Sequence, residues 1–227
     1  VTNIQRSVNE LFFKKGFLKM GDITTSLTDV NFTGGASNQL HAGNVEVKNK
    51  NELNINATGV VIQSMIIDDD IQHTLISGIR WNKADIRLSV FPDQNKKNTA
   101  GFTLKKIEGG NTTILAADRG KRISLFLQTL KADELSAIEG HKPKLTGLIA
   151  KGNSLNITDG FAQLKIKGLD MADHQNSSFE NIIYTRKTGR DSININIPKL
   201  EWVPDINAII DGKVMAAEIR ISRPAVH

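Results

Sequence analysis

Apolar and polar side chains alternate strictly in Ser192-Ile193-Asn194-Ile195-Asn196-Ile197. In an extended strand this puts three isoleucines on one face and the Ser and Asn residues on the other. Leu53 with Ile55, Ile86 with Leu88 and Val90, Leu155 with Ile157, Leu164 with Ile166, and Ile219 with Ile221 repeat the arrangement. Clusters of Gly, Asn, Asp and Thr separate such runs. The pattern predicts strands over 17–20, 23–32, 44–47, 53–62, 74–79, 84–90, 102–104 and 113–116. It continues with 122–130, 145–150, 154–157, 161–166, 179–185, 192–197 and 216–221. Glu108-Gly109-Gly110-Asn111 reads as a hairpin turn between two of them.

Helical spacing is confined to short stretches. Ile4, Val8, Leu11 and Phe12 predict a short N-terminal amphipathic helix, ended by Lys14-Lys15-Gly16. Ala132, Leu135 and Ile138, spaced by three, fit one or two helical turns. Over 204–212, Asp205 near the start and Gly212 past the end frame a short helix, whose counterpart at 68–71 is a turn.

The strand phrases also recur. Leu53-Asn54-Ile55-Asn56 returns as Ile193-Asn194-Ile195-Asn196, Asp70-Ile71 as Asp205-Ile206, and 84–89 as 217–222. A diverged internal repeat of two units is the expectation. Its boundary falls at the polar, aperiodic stretch 92–98, giving units 1–94 and 95–227 that share one continuous sheet. Such a sheet has one wet and one dry face, and the dry face needs a cover. Helices this short do not provide one. The expected fold is therefore all-β: an elongated, twisted, mainly antiparallel sheet curled into a U-shaped groove or a partly open sandwich. In an open groove, an acyl chain of about 15 methylenes would gain roughly 12 kcal/mol over water as an upper figure.

Composition narrows the function classes. The chain has no Cys, which excludes disulfides and thiolate metal sites. No run approaches the roughly 20 apolar residues of a membrane-spanning helix. The start at Val1 and the end after a strand suggest an excised piece of a longer protein. The net charge of +5 is scattered, which suits an anionic surface or merely a solvated face. With aromatics at 5% and Tyr184 the sole tyrosine, a stacking platform for nucleic acid is poor, and Trp81 and Trp202 read as packing residues.

Candidate chemistry is sparse. Asp68-Asp69-Asp70 with His73, and Asp170 with Asp173 and His174, offer metal-ligating types, but both fall in predicted turns where Asp caps backbone. Glu108-Gly109-Gly110-Asn111 lacks the Lys of a phosphate loop. The serines lack a nucleophile-elbow context, and His41, His141 and His227 lie in turn-like or terminal sequence. No catalytic residue, metal or cofactor is assigned.

Ile195-Asn196-Ile197-Pro198-Lys199-Leu200, then 205–213, then Ala217-Glu218-Ile219-Arg220-Ile221-Ser222-Arg223-Pro224 resembles a repeat unit of AsmA-like envelope proteins of the Bacteroidetes type. The stretch 79–88 resembles the same strand pair in the first unit. The resemblance implies a non-enzymatic periplasmic module of an inner-membrane-anchored protein of outer-membrane biogenesis. Its partners would be phospholipids or other acyl lipids, further repeats of the parent protein, and a membrane reached through regions outside this chain. Alternation alone assigns the lipid-facing residues: Leu53, Ile55, Ile86, Leu88, Leu155, Ile157, Leu164, Ile166, Ile193, Ile195, Ile197, Ile219 and Ile221. The alternative is a structural or interaction module with a closed core and no ligand.

Overall fold

The computed structural model describes residues 10–20, 22–34, 39–49, 53–67, 73–89, 101–118, 120–137, 143–189, 191–210, 213 and 216–226. Fifteen strands form a single sheet. They are β1 (Glu10–Met20), β2 (Ile23–Thr33), β3 (Gln39–Asn49), β4 (Leu53–Ile67), β5 (His73–Trp81), β6 (Lys83–Leu88) and β7 (Gly101–Asp118). There follow β8 (Lys121–Ala137), β9 (Lys144–Thr146), β10 (Ile149–Asp159), β11 (Ala162–Ala172) and β12 (Ser177–Thr188). The chain closes with β13 (Asp191–Pro204), a helix α1 (Ile206–Ile210), β14 (Ala216–Ser222) and β15 (Ala225–Val226). The main path runs in sequence order from β1 to β14, with β6, β9 and β15 as side pairings. Neighbours pair antiparallel except that β5 and β6 run parallel to β7. The fold is thus all-β, one curled and mainly antiparallel sheet.

Curvature has a local cause. In β4, Leu53, Ile55 and Ala57 occupy odd positions of one face, yet beyond Gly59 the buried residue is Val60, at an even position. Gly59 has φ +61, a left-handed conformation that shifts the pleat by one residue and bends the strand. Beside it, Asp29 of β2 (φ 51), Gly43 of β3 and Asn82 between β5 and β6 occupy the same transverse line. The line reappears at Gly168 of β11 (φ 79) and Asn181 of β12 (φ 49), and at Arg223 between β14 and β15 (φ 44). The ladder skips a pair there and then resumes with unchanged register, as between Thr28↔Asn44 and Val30↔Ala42, and between β11 and β12 it skips three. The strands therefore slip together, and the sheet is creased along a line that crosses it.

The crease explains where the core lies. Val30, Ala42, Ala57, Val60 and Ala84, all within two residues of it, form one buried cluster. Leu127, Leu148, Ala150, Leu169 and Ile206 form the other. A shorter second crease crosses β5, β7, β8 and β9 through Gly78 (φ 67), Lys106 (φ 53), Asp133 and Gly147 (φ 64).

Several expectations change. Leu11, Phe12, Lys14, Lys15 and Gly16 belong to strand β1 and not to a helix; Ile4 and Val8 lie outside the described residues. Ala132 and Leu135 belong to β8, where the second crease separates two inner-face residues by three positions and so imitates a helical period. Residues 101–118 are one strand, with no hairpin at Gly109-Gly110. A Cβ on Gly109 would lie 2.3 Å from the Trp81 ring, and one on Gly110 would lie 2.5 Å from the Asn82 carbonyl oxygen. These glycines permit close packing at the crease. The helix after Pro204 is present: Asp205 Oδ1 accepts the Ala208 N–H at 2.9 Å as its cap.

The proposed unit boundary at 94/95 and the turn at 68–71 lie outside the described residues. Strands on either side of that boundary belong to one sheet. The repeated phrases sit on neighbouring strands in each, β4 with β6 and β13 with β14. Their registers differ, however, since Ile55 faces Ile86 whereas Ile219 faces Trp202.

Candidate functional site

The inner face of the creased sheet carries two apolar rows that cross it from strand to strand. Leu53 pairs with Leu88, Leu88 with Ala116, Ala116 with Ile123, Ile123 with Ile157 and Ile157 with Leu164. Leu164 then meets Tyr184, and Tyr184 meets Ile195. Nearer the crease, Val47, Ile55, Ile86, Ile114, Leu125, Leu155 and Ile166 pair in succession. Ile182 and Ile197 pair on the same flank. Because paired residues project to the same side, these side chains share one surface.

Eleven of the thirteen residues proposed from alternation fall on this flank, Ile193 being the outermost. Ile219 and Ile221 share the face but lie across the crease, opposite Trp202 and Leu200. Their exposures grade with depth. Ile166, close to the crease, is 3% exposed; Leu53, Ile55, Ile86, Leu88, Leu155, Ile157, Leu164, Ile195 and Ile197 are half-buried. Ile193, Ile219 and Ile221 are exposed. Sequence reading missed Val47, Ile114, Ile123, Leu125, Ile182 and Tyr184, which complete the rows. All lay in predicted strands, but membership of a shared row depends on pairing register.

Opposite flanks of this face differ in cover. Beyond the crease, α1 packs on the ends of β8, β10 and β11, burying Ile206 against Leu127, Leu148, Ala150 and Leu169. Asn207 holds it there: its Oδ1 accepts the Leu145 N–H at 3.0 Å, and its Nδ2 donates to the Leu145 carbonyl at 2.8 Å. Asp173 Oδ1 accepts the Ile206 N–H at 3.1 Å.

The ion pairs lie on the outer face, whereas at the rim Arg186, paired with Ala162 and Ile193, falls on the inner one. The cross-strand pairs Lys131–Glu108 and Lys151–Asp170 lie at positions between the inner-face residues, as do Lys48–Glu46, Lys199–Glu201 and Arg220–Glu218 along single strands. In the Lys199–Glu201 pair, 2.6 Å apart, the side-chain hydrogen bond and the opposite charge raise the lysine pKa and lower that of the carboxyl. Lys165 and Lys167 are exposed on the same outer side.

Other candidates resolve differently. Asp173 and His174 do come together, but with Asp205 and not Asp170, their ligand atoms within 4.8 Å of one another. Both carboxylates already serve as backbone acceptors at α1, and Asp170 pairs with Lys151 at 3.0 Å. Asp68, Asp69 and Asp70 lie outside the described residues, as do His141 and His227; His73 begins β5. His41 lies within β3, on a strand and not in a turn, its ring 3.3 Å from Gln39 Oε1. Trp81 packs at the crease, its indole N–H donating to Thr112 Oγ1 at 2.9 Å, and Trp202 packs on Phe179 with ring centres 5.5 Å apart. What the arrangement offers chemically is a long apolar surface with no ionised group among the residues of its rows. Neither a protein-family model nor a curated protein matches the chain.

Proposed function

We propose that this chain is a non-enzymatic lipid-handling module that holds or conducts acyl chains along its inner face. The observation that carries the proposal is the pair of uninterrupted apolar rows beside the crease, whose side chains, the buried Ala116, Ile166 and Ile182 apart, are half-exposed instead of packed under a second layer. The rows cross nine strands from β3 to β13, which at about 4.8 Å between strands give the surface a length of about 40 Å. Burial of methylenes is nondirectional, so such a surface can accept a chain at many positions along its length. The resemblance to AsmA-like envelope proteins adds the setting: a periplasmic segment of a larger membrane-tethered protein, with further repeats continuing the groove.

Extraction and native mass spectrometry test the reading. Phospholipid or fatty acid is expected to accompany the purified chain and to be released by organic solvent. A chain recovered without lipid that also fails to take lipid up from vesicles would contradict it. The competing reading, a structural module whose inner face packs on another protein, draws on the exposed Leu11, Phe12 and Phe17 of edge strand β1, and it predicts a protein ligand in place of lipid.

A further inference from the structure

The two long rims of the creased sheet differ in chemistry. Beyond the β1–β2 turn with Asp22 and the ends of β3 and β4, one rim is formed by the turns joining β7 to β8, β10 to β11 and β12 to β13, together with the end of β6. Arg87, Lys121, Arg122, Arg186 and Lys187 project from it, all exposed, against Asp118, Asp159 and Asp191. Asp159 is partly committed, since its Oδ1 accepts the Ala162 N–H at 2.9 Å. Among the described residues, no ion pair engages those five cations. The opposite rim carries Glu10, Asp173, Asp205 and Glu218 against Lys144 and Lys213.

At the tip of the β10–β11 hairpin on the basic rim, Phe161 is 78% exposed, the most exposed of the large hydrophobic residues described. It borders a shallow depression with Arg122 and Lys187. Arg122 also borders an adjoining depression on the outer face, together with Leu115, Ala117, Asn156 and Thr158. A hydrophobic finger flanked by two exposed cations matches the layering of an anionic bilayer, with phosphates outside and acyl chains within.

We propose that this rim docks on an anionic lipid membrane, inserting Phe161 while Arg122 and Lys187 contact lipid phosphates. A polyanion such as single-stranded nucleic acid would use the cations but has no use for one isolated aromatic at a hairpin tip, far from any stacking partner. The choice of a bilayer rests on the lipid-handling reading, whereas docking itself does not require a lipid in the groove.

Flotation of the full chain with vesicles of phosphatidylcholine alone, or mixed with phosphatidylglycerol, tests the docking. Binding is expected only to the anionic vesicles and is expected to fall with added salt. Arg122→Gln and Lys187→Gln should each weaken it roughly fivefold. Phe161→Ser, which leaves charge unchanged, should weaken it roughly tenfold. The melting temperature of this last variant should hold, because the side chain is exposed. Equal binding to neutral vesicles, or none to either, overturns the proposal. So does tight oligonucleotide binding indifferent to Phe161→Ser in a chain that ignores vesicles. Uptake of a fluorescent acyl probe by the same variants separates the two readings: intact uptake with lost flotation keeps the groove, and the reverse keeps the rim.

Discussion

Strands β10 and β11 carry both fates of an apolar inner face. At one end Ala150 and Leu169 are 2% and 6% exposed beneath Ile206 of α1. At the other end of the same two strands Leu155, Ile157 and Leu164 remain half-buried. The alternation that produces the two surfaces is identical, and the crease at Gly168 keeps it facing the same way on both sides. Cover makes the difference. A five-residue helix turns one flank into core, and the flank without it stays available to a ligand.

Breaking the crease should have the largest effect, because both flanks depend on it. Gly59→Val forces a β-branched residue into φ +61 and places its Cβ 2.3 Å from Asn82 Nδ2. A loss of about 4 kcal/mol in denaturant unfolding is expected. Gly120→Ala, in a turn with φ +88 and open space around it, should cost only about 1 kcal/mol. Similar losses at the two sites would deny the crease its special role.

Removing the cover comes next. Ile206→Ala should cost about 3 kcal/mol through the cavity it leaves, while Ile157→Ala on the uncovered flank should cost about 1 kcal/mol. Asn207→Ala takes away both hydrogen bonds that hold α1 to Leu145, and about 2 kcal/mol is expected, with faster amide exchange confined to α1 and β9.

The smallest effect is expected on the outer face. Lys199→Ala should return the Glu201 carboxyl toward its ordinary pKa, readable by NMR titration. Because the folded-state value is lowered, the pair's contribution is present above the ordinary carboxylate pKa and is lost as pH falls through the folded one. Solvent screening of both groups, each nearly half exposed, keeps the change in stability near the limit of detection.

Much of this comparison was readable in the chain, though not in its correct form. Alternation identified the strands and put Leu53, Ile55, Ile86, Leu88, Leu155, Ile157, Leu164 and Ile195 on one face, because a period of two survives any tertiary context. The crease misled. The expected strands 44–47, 154–157 and 192–197 stop beside the crease, so β3, β10 and β13 came out short. The slip leaves its own mark, a spacing of three between inner-face residues: Leu27 to Val30, Ala42 to Val45, Ala57 to Val60, Ile166 to Leu169, and Ile197 to Leu200. Taken singly, each looks like a turn or a helical step, as Ala132 to Leu135 did. Only pairing register aligns them into a line, and register between distant strands is not encoded in local periodicity. The cover was half-legible: the capping Asp205 announced α1, but nothing local to Ile206 or Asn207 specified which strands they would meet.

The most direct measurement compares two adjacent residues of β13 that face opposite ways. Ile195 lies in the apolar row, and Asn196 lies on the outer face. Binding of a fluorescent fatty acid to the delipidated chain should be abolished by Ile195→Asp and unchanged by Asn196→Asp, with both variants folded by circular dichroism. Equal effects of the two substitutions, or no binding by the unsubstituted chain, would contradict a lipid-holding inner face.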